Sequence, residues 1–320
     1  MDRTTLSRRS FTKGLAGVGA VALAGLAGCG GDAASGSTGG ASGTTYKIGV
    51  LQLTEHTALD AANDGFVKAL DDSGISYDID QQNAQNDQSA CQTIASTLVN
   101  NGCDLILAIA TPAAQAVAGA TSDIPIVGTA ITDFAASGLV EDNDAPGGNL
   151  TGTSDMNPVA DQIALLQQLL PDAQTVGLLY CTAESNSDIQ VSLAEEALDG
   201  AGIGHERFTV SSSNEIQQVV ESMVGKVDAI YTPTDNTIAA GMTTVAMVAN
   251  ENGLPTICGE VGMVENGGLA SVSINYEELG YRAGEMAVQI LTEGADPAEM
   301  PIETMSADEC DLVYNQQTAD

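Results

Sequence analysis

The chain repeats itself. Lys47-Ile48-Gly49-Val50-Leu51 returns as Thr175-Val176-Gly177-Leu178-Leu179, residues 104–111 return as 228–235, and Ile124-Pro125-Ile126 returns as Leu254-Pro255-Thr256. The spacing returns too: Gly49 and Pro125 stand 76 positions apart, Gly177 and Pro255 stand 78. Within each half, short apolar runs alternate with helical stretches. Runs at 47–52, 76–80, 104–110 and 124–127 read as strands. Residues 59–70, a segment carrying Ile94, Leu98 and Val99, and a segment opening at Pro112 read as helices. Continuously apolar strands separated by helices make a parallel sheet covered on both faces. A repeat of such units means two open α/β lobes of like topology.

In open parallel sheets a ligand crevice lies beyond the carboxyl ends of the strands, where loops lead into helix N-termini. In the first half those loops carry Glu55 and His56, then Thr111, Pro112 and Ala113, then Thr132. In the second half they carry Tyr180, Glu184, Ser185 and Asn186, then Asp235 and Asn236, then Glu260. Asp155 falls between the halves. These are the candidate ligand-binding residues.

Charge narrows the ligand. Nine Lys and Arg stand against 43 Asp and Glu, a formal charge of −34. Nucleic-acid affinity comes mainly from cations displacing counterions, so a nucleic-acid reader is excluded. Aromatic content is 3% with no Trp, which argues against a site of several stacking platforms. Neither histidine belongs to a His-Glu-x-x-His array, no Gly-x-Ser-x-Gly elbow or P-loop is present, and no cysteine pair has metal spacing. The expectation is a binding protein, not an enzyme, with no cofactor and no metal.

The N-terminus carries an address. Arg8-Arg9-Ser10-Phe11-Thr12-Lys13 precedes an apolar run to Ala27, and Leu26-Ala27-Gly28-Cys29 follows the lipobox pattern. Residues 1–28 thus read as a twin-arginine lipoprotein signal peptide, cleaved before a lipidated Cys29. Some 14 apolar residues rich in Gly and Ala are too short to span about 30 Å of hydrocarbon. Residues 29–45, rich in Gly, Ser and Ala, read as a flexible tether. Five cysteines remain beyond Cys29, an odd number that cannot all pair within one chain. A twin-arginine substrate folds before export in a reducing compartment, so the fold should not depend on disulfides.

Several ordered motifs carry a family resemblance. Residues 52–56 with Ala58-Leu59-Asp60, Asn83-Ala84-Gln85, residues 110–115, residues 146–152, Glu184-Ser185-Asn186-Ser187, Pro233-Thr234-Asp235-Asn236 and Leu279-Gly280 look like those of one family. It is the ABC-transporter substrate-binding family that includes tryptophan- and tyrosine/phenylalanine-binding lipoproteins. The resemblance runs from about residue 46 to 301 and implies a type I periplasmic-binding-protein fold, two Rossmann-like doubly wound α/β lobes with parallel sheets joined by three crossovers. The implied lobes are 46–154 plus 275–304 and 155–274 plus 305–320. The helix at 276–292 would return to the first lobe and the segment from about Met305 would pack on the second. Family members often have proline after the Thr-Asp of the fourth-strand loop. Here Phe134 follows Thr132-Asp133, which is expected to reshape that wall.

An α-amino acid needs a carboxylate site and an ammonium site. Lys47, Lys68, Arg207, Lys226 and Arg282 all fall outside the cleft loops. The carboxylate is therefore expected on backbone N–H groups at a helix N-terminus, near Thr111 with Pro112 at the first helical position, or near Ser185 and Asn186. Asp155, Asp235, Glu55 and Glu184 are the acceptors available to the ammonium. Capping of a helix at 237–250 is an equally sufficient reason for Asp235 and Asn236. Tyr180 and Phe66 line an apolar pocket or belong to the core. The expected function is solute capture for an ABC importer. The expected partners are a small ligand, chiefly an aromatic or apolar amino acid, a permease, and the cell membrane through Cys29, with the folded part extracytoplasmic and monomeric. A lipoprotein sensor reporting to a membrane receptor or kinase, or capture of another solute such as a sugar, stands as the alternative.

Overall fold

A computed structural model describes residues 44–320. The twin-arginine motif, Cys29 and most of the tether lie outside the described residues. The chain begins with β1 (Thr45–Gln52), α1 (Thr57–Ser73), β2 (Ser76–Asn83), α2 (Gln88–Asn100), β3 (Leu105–Ile109), α3 (Thr111–Ala120), β4 (Ile126–Ile131) and β5 (Leu150–Ser154). The second series is α4 (Val159–Leu169), β6 (Thr175–Cys181), α5 (Ser185–Ala201), β7 (Gly204–Val210), α6 (Ile216–Met223) and β8 (Ala229–Thr232). It continues with α7 (Asn236–Ala240), α8 (Met242–Glu251), β9 (Thr256–Cys258), α9 (Val261–Glu265) and β10 (Ala270–Ser273). After it come α10 (Tyr276–Val288), β11 (Glu303–Thr304), β12 (Asp311–Tyr314) and α11 (Gln316–Ala319).

The strands form two six-stranded sheets, ordered β11-β5-β4-β3-β1-β2 and β12-β10-β9-β8-β6-β7. All pairings are parallel except β12 against β10. The first sheet's central strands β3 and β4 are buried at every position, as a strand covered on both faces must be. The edge strand β2 instead alternates exposed and half-buried residues and carries Asp78 and Asp80, which discourages further pairing. The halves are therefore two α/β lobes of the same strand order. The chain passes between the sheets after β5, after β10 and after β11.

Two close approaches tie α10 to the first sheet's layer. A Cβ on Gly280 would overlap the Ala62 carbonyl oxygen, and one on Gly65 would overlap the Glu277 carbonyl oxygen, so glycine lets α1 and α10 meet backbone to backbone. α1 ends in the left-handed conformation at Gly74, whose N–H bonds the Asp71 carbonyl.

One helix differs from its expected extent. Residues 236–251 form α7 and α8, broken at Gly241, instead of a single helix over 237–250. Ile216 of α6 fills the space that a Cβ on Gly241 would need. Phe66 and Phe134 are fully buried in the first lobe's core. The five described cysteines are free, four of them buried. Among the described residues no helix is long and apolar enough to cross a membrane.

Candidate functional site

The cleft between the lobes encloses a narrow space. Its lining brings together seven of the sequence candidates: His56, Thr132, Asp155, Asn186, Asp235, Asn236 and Glu260. The first lobe adds Ala58, Leu59, Ala130 and Tyr276, and the second adds Thr234 and Ala239.

The walls follow from local structure. β4 and β5 lose register between Gly128 and Ile131, a bulge where Ala130 takes φ 54°. Such bulges redirect side chains, and this one carries Ala130 and Thr132 into the cleft. α7 starts under two caps. The Asp235 carboxylate accepts from Ile238 N at 2.8 Å, and its other oxygen accepts from Ser187 Oγ and Cys181 N. Glu184 Oε1 accepts from Thr237 N and Oγ1, while Oε2 accepts from Asn236 N and Nδ2. Glu260 caps α9 through Gly262 N and Met263 N. Gln162 braces that loop by donating to the carbonyls of Gly259 and Val272.

These acids are buried without cations. Burial pushes the Glu260 carboxyl up to about 7, against the Gly262 and Met263 N–H groups that favour its charge. Asp155 rises to about 6, again through burial, with the Tyr276 and Thr132 hydroxyls pulling the other way. Asp235 is raised by burial and then by the neighbouring Glu184 charge. His56 is lowered, chiefly by burial. Among the described residues no Lys or Arg lines the cleft. Arg207 is held by Glu195 and Asp188, Arg282 by Glu278 and Glu309, and Lys68 by Asp72.

The lobes touch across the cleft. His56 Nε2 meets Asn236 Oδ1 at 3.1 Å, Asn86 Nδ2 donates to Thr237 Oγ1 at 2.9 Å, and Gln190 Nε2 donates to Thr132 Oγ1 at 3.1 Å. Tyr276 donates to Asp155 Oδ2 at 3.0 Å where the chain passes between lobes. Three polar atoms of the lining are nevertheless buried without a partner: Asp155 Oδ1, Asn186 Oδ1 and His56 Nδ1. Thr132 lies near Asp155 but does not meet Oδ1 at hydrogen-bond geometry. Buried polar atoms normally find partners, and these three leave the cleft with open acceptor positions.

The other seven candidates are not in the lining, for identifiable reasons. Glu55 is exposed and faces a separate surface hollow with Gln81 and Asn83. Tyr180 points to the opposite face of its strand, packing with Val176 and Leu178, and its hydroxyl accepts from Arg207 at 3.1 Å. Glu184 stands behind Asn236 as a cap. Ser185 is exposed at the first position of α5. Thr111, Pro112 and Ala113 are buried in the first turn of α3, behind the cleft wall, and Thr111 Oγ1 has no partner. A helix terminus that does reach the cleft is that of α1. It has no side-chain cap, and Ala58 and Leu59 of its first turn line the space. Thr234 belongs to the Pro233-Thr234-Asp235-Asn236 motif, whereas Gln190 and Tyr276 had no separate signal in the sequence.

A family model described as ABC transporter substrate binding protein matches residues 47–320. The chain belongs to the ABC transporter substrate-binding protein family. Members of this family capture solutes outside the cytoplasm. A tyrosine-binding protein of Clostridioides difficile (strain R20291) is 44% identical over 275 residues, covering 85% of this chain and 79% of that protein. An ABC domain in complex with L-Trp from Streptococcus pneumonia superposes with TM-score 0.83 at 43% identity, covering 86% of this chain and 94% of that one. A ligand-free, open substrate-binding protein from Clostridium difficile is 46% identical but superposes with TM-score 0.66, covering 86% and 93%. Similar identities with unequal superposition, together with the cross-cleft hydrogen bonds, describe a substrate-binding protein whose lobes stand closed. The fold is that of type I periplasmic binding proteins.

Proposed function

We propose that this substrate-binding protein captures an aromatic amino acid and delivers it to an ABC importer. The observation that carries the reading is the buried Asp155 Oδ1, an acidic acceptor with no protein partner in a cleft without cations. A ligand ammonium satisfies it, with Asn186 Oδ1 as a second acceptor. The ligand carboxylate then rests on the uncapped N-terminus of α1, where the N–H groups of Thr57, Ala58 and Leu59 have no intrahelical acceptor and the dipole favours an anion. Apolar atoms of Ala58, Leu59, Ala130 and Ala239 take the side chain. The tyrosine- and L-Trp-binding relatives support an aromatic one.

Residues 46–154 plus 275–304 and 155–274 plus 305–320 are the moving bodies in this reading. Its support is that β5 ends at Ser154, α10 begins at Tyr276, and β11 ends at Thr304. Export by the twin-arginine route and anchoring through Cys29 belong to the same proposal and rest on Arg8-Arg9 and the lipobox alone. Calorimetry of the folded chain with tryptophan, tyrosine, phenylalanine, leucine and glucose tests the ligand. Micromolar or tighter binding of an aromatic amino acid is expected. No binding of any amino acid at millimolar concentration sinks the proposal.

A further inference from the structure

Glu184 stands at the N-cap of α5, yet its carboxylate caps none of that helix's backbone N–H groups. It is 3% exposed and turns instead to the start of α7. Thr237 donates to Oε1 from N at 2.8 Å and from Oγ1 at 2.7 Å, and Asn236 donates to Oε2 from N at 3.0 Å and from Nδ2 at 2.6 Å. A carboxylate only accepts, so it fixes the direction of both side chains. The Thr237 hydroxyl points its proton inward and shows an oxygen lone pair outward. The Asn236 amide turns its NH2 inward and shows Oδ1 outward.

Both outward acceptors meet donors of the first lobe. Asn86 Nδ2 donates to Thr237 Oγ1 at 2.9 Å, and His56 Nε2 lies 3.1 Å from Asn236 Oδ1, an amide oxygen that can only accept. The Asn86 side is held as firmly. Gln85 and Asn86 follow β2 in the left-handed conformation, with φ 51° and 60°. Gln85 N donates to Asn83 Oδ1 at 2.7 Å, and Asn86 N donates to the Leu53 carbonyl at 2.8 Å. Non-glycine residues adopt that conformation at a cost, and they gather at clamps and switches. The contact between Gln190 and Thr132 has a separate origin. There the amide is oriented by Thr234 N, which donates to Gln190 Oε1 at 3.2 Å.

We propose that Glu184 is a positioning residue for closure: it presets the Thr237 hydroxyl and the Asn236 amide as acceptors, so that the second lobe catches Asn86 and His56 of the first when the lobes meet around a solute. Two contacts across the cleft thus depend on one buried carboxylate that is not itself part of the cleft lining. Without it the hydroxyl rotates and the amide flips, and each contact forms only after the second lobe has ordered its half. Pre-organised partners lose less freedom on meeting, which favours the closed form. The device serves closure whichever solute the cleft holds, so it stands apart from the ligand proposed above.

A double-mutant cycle tests it, because Glu184 acts on Asn86 only through the Thr237 hydroxyl. Binding of L-tyrosine and L-tryptophan is measured by calorimetry for the unaltered protein, Glu184→Ala, Asn86→Gly and the double variant, each checked for folding by its melting transition. Glycine adopts φ 60° freely and removes the Nδ2 donor. Glu184→Ala should weaken binding about 5- to 100-fold and Asn86→Gly about 2- to 10-fold, with little further loss when the second change is added to the first. Thr132→Val, which cuts the Gln190 contact, should add in full to Glu184→Ala. Full additivity of Glu184→Ala with Asn86→Gly, the mark of a merely structural Glu184, would overturn the proposal, as would unchanged affinity in either variant. If Glu184→Ala does not fold, Thr237→Val takes its place in the cycle, and additivity there overturns the proposal equally. If the unaltered protein binds neither amino acid, the ligand proposed above falls. The latch is then read by small-angle scattering of the unliganded proteins: a larger radius of gyration in Glu184→Ala and in Asn86→Gly supports it, and unchanged radii overturn it.

Discussion

Replacing Asp155 with asparagine should move stability and affinity in opposite directions. Asp155 is 5% exposed, and its Oδ2 takes the Tyr276 hydroxyl at 3.0 Å. Burial lifts its carboxyl from 3.8 to about 6. At about 1.36 kcal/mol per pKa unit, ionising it in the unliganded fold at pH 8 costs roughly 3 kcal/mol relative to the unfolded chain. Because the folded value is raised, its contribution is fully favourable below about pH 4 and is lost as pH rises through about 6. Asparagine keeps the shape and a partner for Tyr276 while removing the charge. Urea denaturation of the unliganded Asp155→Asn protein at pH 8 should therefore show a gain of up to roughly 3 kcal/mol, vanishing near pH 4. Affinity should fall about 10- to 150-fold, since one charge-assisted hydrogen bond contributes about 1.5–3 kcal/mol. A structural aspartate would behave otherwise: lower stability at pH 8 with unchanged affinity would refute the reasoning.

Other perturbations probe the same geometry. Aromatic amino acid affinity should weaken about tenfold from pH 8 to pH 5 by calorimetry, because Asp155 with a pKa of about 6 is then only about a tenth ionised; Glu260, raised to about 7, adds to the same trend, and a flat profile would contradict it. In Gly262→Ala the new Cβ would lie 2.7 Å from Thr57 Cβ across the cleft. Closure should suffer, with affinity falling about 5- to 150-fold and small-angle scattering showing less ligand-induced compaction. Gly280→Ala, driven against the Ala62 carbonyl, should destabilise the fold by about 3 kcal/mol or more in denaturant titration.

The repeat made the two sheets and their strand order legible, because strands covered on both faces are continuously apolar and their spacing recurs. Loop positions beyond strand ends were legible for the same reason, and His56, Asp155 and Asn236 follow from them. Side-chain direction was not. Residues 176–181 are buried at every position, so their pattern hides that Tyr180 shares a face with Leu178 and faces away from the cleft. Sequence grounds place the anion-binding role near Thr111 or near Ser185 and Asn186, and not at α1. Only packing shows that Ala58 and Leu59 reach the space while Thr111 stays behind it. Glu184 reads as a ligand acid, yet it is consumed by four donors from Asn236 and Thr237. Gln190 and Tyr276 carry no local signal, because their roles arise only where the lobes and the crossing segments meet.

The most direct test is a crystal structure of the protein with L-tryptophan or L-tyrosine bound. The ammonium should lie within hydrogen-bond distance of Asp155 Oδ1, the carboxylate against the first-turn N–H groups of α1, and no Lys or Arg should touch the ligand. A ligand carboxylate held by an arginine or lysine, or an ammonium placed away from Asp155, would contradict the account.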